Sequence, residues 1–120
     1  MTHNEFMTGY DDGRVACTDQ EIVIRHYYLA GAKRIKYSDI RKVVRVSPLG
    51  FMAKWRIHGS GDLVHWFNYD PRRPRKDVAF VLYLDGKIRP VITPDDPGLL
   101  GAELEAHGVR VTRGPEAGLW

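Results

Sequence analysis

Cys17 and His26 are the first residues whose types could do chemistry, because a thiol beside an imidazole makes a nucleophile with its base. A turn at Asp19-Gln20 places Cys17 opposite about Glu21 or Ile22. His26 then lies some four residues further on, ~13 Å at ~3.3 Å per residue. That exceeds hydrogen-bond reach, so Cys17 reads as a buried, inert thiol. His58 and His65 flank Gly59-Ser60-Gly61 and could meet across it. A zinc site needs three or four ligands, and Asp62 is the only further candidate nearby. No Gly-Lys-Ser/Thr or helix start follows that glycine pair, so it is no phosphate cradle. Asp95-Asp96 resembles a carboxylate pair for acid–base work, but its position before Pro97 is explained by helix capping. The sequence therefore reads as non-enzymatic, with no catalytic residues, no cofactor and no metal site.

The cations form the other chemical signal. From Met1 to Ile24 five acids meet one base, and from Asp77 onward seven meet four. Between them, thirteen Lys and Arg meet three acids, a local charge of +10 within an overall +3. Two groups stand out: Lys33, Arg34, Lys36, Arg41, Lys42 and Arg45 on consecutive strands, and Arg72, Arg73, Arg75 and Lys76 in a proline-stiffened loop. Together they are candidates for an anion- or partner-binding face. Trp55 and Trp66 are candidate anchors for a protein partner. Aromatic residues interleave with these bases, but at strand period they read as core and cross-strand pairs. No nucleic-acid partner and no small-molecule substrate is expected.

The elements that must position these residues are mostly strands. Period-two alternation marks strands at 14–18, 21–28, 32–37, 41–46, 63–69, 78–84 and 88–93, with a short strand or bend at 55–57. On 21–28 it puts Ile22, Ile24, His26 and Tyr28 on one face. Asp85-Gly86 predicts a two-residue type I′ hairpin, and Gly31 a turn with positive φ. The period changes only after Thr93. Asp96 as N-cap, Pro97 in the first turn and Gly108 at C′ bracket a helix over about 96–107, with Leu99, Leu100 and Leu104 on its inner face. Ile22, Ile24, Ile35, Val44, Phe80, Leu82, Ile92, Leu100 and Leu104 should fill the core. Residues 1–13 read as a flexible lead, 14–108 as the domain and 109–120 as a flexible tail.

Strands followed by one helix is the order of the pleckstrin-homology superfold. Tyr37-Ser38-Asp39-Ile40, Trp55-Arg56-Ile57 with Gly59-Ser60, Trp66 before Asp70 with Arg73-Pro74, and Ile92-Thr93-Pro94-Asp95-Asp96-Pro97 resemble the bacterial pleckstrin-homology (PH-like) proteins. The resemblance spans residues 14–108. It implies a seven-stranded antiparallel bent barrel capped by one C-terminal α-helix, used for binding. The phosphoinositide-binding members carry a Lys-x(n)-Arg-x-Arg pattern on the first strand pair, whereas this turn, Thr18-Asp19-Gln20, is acidic. The expected role is a binding module for a protein partner or a second copy of itself, with anionic lipid headgroups or another polyanion as the alternative. No signal sequence or run of roughly 18 apolar residues appears, and one cysteine excludes an internal disulfide framework. The expected location is the cytoplasm, with the inner face of the membrane as the peripheral alternative.

Overall fold

A computed structural model describes residues 9–28, 31–50, 54, 58–59, 64–116 and 119. Trp55, and most of the segment expected at 55–63, lie outside the described residues. The described chain forms β1 (Tyr10–Asp11), β2 (Val15–Cys17), β3 (Glu21–Tyr28), β4 (Gly31–Lys36), β5 (Lys42–Val46), β6 (His65–Phe67), β7 (Ala79–Tyr83), β8 (Arg89–Ile92), helix α1 (Pro97–Ala106) and β9 (Val111–Arg113). Single 3-10 turns occupy Tyr37–Asp39 and Arg73–Arg75. No described helix is long and apolar enough to cross a membrane.

The fold is rich in β-structure with one helix near its C-terminal end, as the alternation requires. The seven-stranded antiparallel barrel is corrected. Among the described residues nine strands form two sheets, one in the order β1-β2-β3-β4 and one in the order β6-β8-β7-β5-β9. Two ladders are parallel: β6 with β8, and β5 with β9. A parallel neighbour comes from distant sequence, so local turn signals cannot announce it. Where a loose tail is expected from Val109, the chain instead adds β9 to the sheet edge and buries Glu116 and Leu119. At the other terminus β1 pairs with β2 inside the expected lead.

The antiparallel register Cys17↔Ile22 agrees with the turn read at Asp19-Gln20. Further along β3 the alternation breaks. His26 has φ +57°, and the pairing with β4 shifts between Ile24 and Tyr28. A bulge inserts a residue and reverses the faces beyond it. Tyr27 is therefore buried, while His26 and Tyr28 face outward, against the single face expected for 22, 24, 26 and 28. The Asp85-Gly86 connection also differs. Gly86 does not take positive φ, and β7 and β8 are joined by the wider segment 84–88 rather than a two-residue turn. Gly31 likewise lacks positive φ and pairs with Tyr28.

All nine expected core residues are buried. One cluster joins the first sheet to the inner face of the second and to α1, through Ile22, Ile24, Ile35, Val43, Phe80, Leu82, Ile92, Leu100 and Leu104. A second lies on the other face of β5, β7 and β8, where Val44, Val46, Val81 and Val91 meet Leu49, Phe67 and Leu119. Helix α1 begins as its sequence dictates: the Asp96 carboxylate accepts from Leu99 N and Pro97 fills the first turn. Gly108 takes φ +83° at its end. Leu99 is 60% exposed, because it sits a residue away from the Leu100–Leu104 stripe, about 100° round the helix.

Leu100 and Leu104 have no exposed surface. Replacing either with Ala removes buried methyl groups and leaves a cavity, a loss of about 2–5 kcal/mol. Denaturant unfolding of Leu100→Ala and Leu104→Ala should record that loss; wild-type midpoints in both would contradict this packing.

Candidate functional site

The basic loop is not a free cationic surface. Arg73 is fully buried. Its Nη2 donates to Asn68 O at 2.9 Å and Asn68 Oδ1 at 2.7 Å, its Nε to Thr93 Oγ1 at 3.2 Å, and its guanidinium lies 5.0 Å from the Phe67 ring. Burial pushes the guanidinium down to about 10 against the attraction of Asp70, so it stays charged at neutral pH. Asp70 is equally enclosed. It accepts from Lys76 Nζ at 2.7 Å, the Thr93 hydroxyl at 2.9 Å and Arg72 N at 2.9 Å, and lies 3.5 Å from Arg14 Nε. Burial opposes its charge, but these donors win and hold the carboxyl below its ordinary value. Lys76 and Arg72 also pair with Asp95. Of the four loop cations, Arg75 alone is exposed without an ion pair among the described residues. Arg73 is corrected outright: an enclosed guanidinium cannot touch a partner.

The strand cations are partly spent as well. Arg34 pairs with Glu21 at 2.6 Å and Arg41 with Asp85 at 2.6 Å. Lys42 lies 4.7 Å from the Tyr83 ring centroid, and Lys33 lies 5.5 Å from that of Tyr27. Lys36 is exposed. Arg45 is half-buried and faces a different groove, with Arg113.

Around Lys33 the bulge in β3 and the 84–88 connection build a groove of about 290 Å³, lined by Tyr27, Lys33, Leu84, Lys87, Ile88 and Pro90. Tyr27 is held there from behind. Its carbonyl accepts from Trp66 Nε1 at 2.8 Å and bonds His58 Nε2 at 2.9 Å, and its ring meets those of Trp66 and Tyr28. Trp66 is thus a half-buried strut rather than a projecting anchor. Ile88 is 42% exposed and Tyr28, next in chain to Tyr27, is 51% exposed. Neither Lys33 nor Lys87 has an ion pair among the described residues, and the nearby acid Asp85 is already held by Arg41. Two ammonium groups without an ion pair among the described residues thus line an apolar groove, with Ile88 and Tyr28 exposed beside them. Sequence reading missed Lys87, Ile88 and Tyr28. Their signal was the hairpin itself, which brings 84–88 beside Lys33.

The histidines serve elsewhere. His65 is buried and its Nε2 donates to Glu116 Oε2 at 2.6 Å, while the Tyr83 hydroxyl donates to Oε1 at 2.6 Å and Arg89 to Oε2 at 3.0 Å. Burial opposes ionisation of Glu116, but the bonds from His65, Tyr83 and Arg89 prevail and hold its pKa below normal. An imidazole, a phenol and a carboxylate in contact are an acid–base set. Here His65 on β6, Tyr83 on β7 and Arg89 on β8 all hold the buried Glu116 carboxylate, and they fasten the C-terminal segment to those strands. Cys17 is enclosed, its thiol pushed up to about 12 by burial. Among the described residues no three His, Cys, Asp or Glu side chains gather as metal ligands.

Glu116 and Asp70 fix the acid limb of stability. A carboxyl whose native pKa is depressed stabilises the fold above its unfolded value and loses that contribution as pH falls through the native one. Starting from the ordinary 4.5 of Glu116, unfolding free energy should fall as the solution is acidified. Glu116→Gln should show a shallower fall in the same titration; an identical slope would contradict the assignment.

No family model matches this chain. It is similar to a protein of Halobacterium salinarum named as an archaetidylserine decarboxylase proenzyme, with 33% identity over 86 residues, covering 69% of this chain and 44% of that protein. That match corrects the reading of the sequence as non-enzymatic, because the relative is named as an enzyme. The chain spans less than half the length of that curated relative.

Proposed function

We propose that this chain recognises the anionic headgroup of a phospholipid at a membrane surface, as an enzyme acting on such a lipid must also do. The observation that carries the reading is the groove lined by Lys33 and Lys87, with Ile88 and Tyr28 exposed alongside. A serine-type headgroup presents a phosphate and a carboxylate, matching two ammonium groups, while apolar side chains at the tip favour the boundary of the acyl region. The relative named for a serine phospholipid supports the same chemistry. The PH-like kinship read from the sequence fits this role too; it rests on strands preceding a helix, and the two parallel ladders depart from it.

Each lysine near an anionic surface contributes about 1 kcal/mol. Removing both should weaken binding roughly 25-fold, at 1.4 kcal/mol per tenfold. Co-sedimentation of the full chain with phosphatidylserine-containing vesicles should show binding that fades as salt rises, and Lys33→Ala/Lys87→Ala should lose most of it. Phosphatidylcholine vesicles should bind little. Absence of binding at low salt would overturn the reading in favour of a protein partner or self-association, the other role expected from the sequence.

A further inference from the structure

The geometry points to a second anion site, specific for a phosphate group, between Arg45 and Arg113. Strands β5 and β9 run parallel with Val43 opposite Val111 and Arg45 opposite Arg113. Val43 and Val111 belong to the main core, so the arginines, two residues further along, leave the same face beyond its edge. Both line a groove of about 340 Å³ with Ser47, Gly114 and Pro115. It lies toward the end of β5 away from the 84–88 connection, and it shares no residue with the lysine groove.

Two features single this pair out. Like charges directly opposite on neighbouring strands repel, yet no carboxylate answers either guanidinium among the described residues. Most other arginines of the fold have such a partner: Arg14, Arg25, Arg34, Arg41, Arg72 and Arg89 each meet one. In addition, Arg45 Nε is enclosed and donates to no acceptor. A buried donor without an acceptor carries a desolvation cost, and the residue that carries it lines the groove. Two guanidinium forks suit a tetrahedral phosphate, whose oxygens accept paired N–H bonds, better than a halide or a single planar carboxylate. The Ser47 hydroxyl lines the same groove as a further donor. Arg113 escaped the sequence reading because it fell in the expected tail, where its strand partner could not be foreseen.

The shared chemistry, a phosphate group, could come from free phosphate or from a lipid headgroup. Titration of the full chain with inorganic phosphate, followed by calorimetry and by melting temperature at constant ionic strength, should show saturable binding and a raised melting temperature that chloride does not reproduce. Arg113→Ala, at an exposed position, should weaken phosphate binding about tenfold or more without lowering the melting temperature in phosphate-free buffer. Arg45→Ala should do the same. Arg75→Ala, which removes an equal charge from an exposed position outside both grooves, should bind phosphate as the wild type does. Competition by a short-chain phosphatidylserine below its micelle concentration would assign the site to headgroups, and its absence to free phosphate. No saturable binding, or equal weakening by Arg75→Ala and Arg113→Ala, would overturn the proposal. Vesicle binding lost in the Lys33/Lys87 variant but phosphate binding retained there would separate the two grooves.

Discussion

The buried guanidinium of Arg73 is the constraint from which the rest of the architecture follows. Moving a charge out of water costs several kcal/mol unless its donors are met, and a fully enclosed arginine cannot be left half-satisfied. Its solution draws in Asn68 and Thr93, and with Asp70 it forms one hydrogen-bonded knot. That knot fixes 68–76 against three other parts of the chain. Tyr69 N donates to His26 O at 2.8 Å, tying the loop to the bulge of β3. Arg14 reaches Asp70 from the β1–β2 side. Lys76 and Arg72 reach Asp95 at the entrance to α1. The first sheet, the end of β8 and the helix start are stitched together by one set of ion pairs. Removing Asp70 would leave the enclosed Arg73 guanidinium without its neighbouring carboxylate.

The same arrangement positions the lysine groove. With 68–76 pinned beside the bulge, β6 is placed so that Trp66 Nε1 and His58 meet the Tyr27 carbonyl. The bulge turns Tyr27 inward and Tyr28 outward, which gives the groove an aromatic floor and leaves an exposed aromatic next in the chain. Across from it, 84–88 projects Lys87 and Ile88 because β7 and β8 part before a tight turn can form. Structural charge is thus concentrated in the arginine loop, and the charge left without an ion pair among the described residues includes Lys33, Lys87 and the Arg45–Arg113 pair. Only available charge can meet an anion.

Much of this was legible in the sequence where local rules govern. Asp96, Pro97 and Gly108 announce both ends of α1, because caps satisfy or terminate backbone groups within a turn. Apolar alternation gave the core residues, since burial must follow strand period. Non-local geometry was not legible. Val43 of β5 pairs with Val111, 68 residues away, and His65 and Glu116 are 51 residues apart. The positive φ at His26 has no glycine to mark it. Arg72-Arg73-Pro74-Arg75-Lys76 reads as a wet cationic loop, and nothing in the run says that its second arginine is swallowed by Asn68 and Thr93. Strands before a helix suggested a barrel, but element order fixes neither strand number nor ladder direction.

The central claim is that an anionic headgroup seats between Lys33 and Lys87. Backbone amide resonances of the full chain, followed during titration with phosphatidylserine-containing bicelles, test it residue by residue. The account predicts shifts concentrated at Tyr27, Tyr28 and Lys33 and across Leu84 to Arg89, with the amides of 98–106 little changed. Shifts centred instead on α1, or spread evenly over every exposed cation, would contradict it.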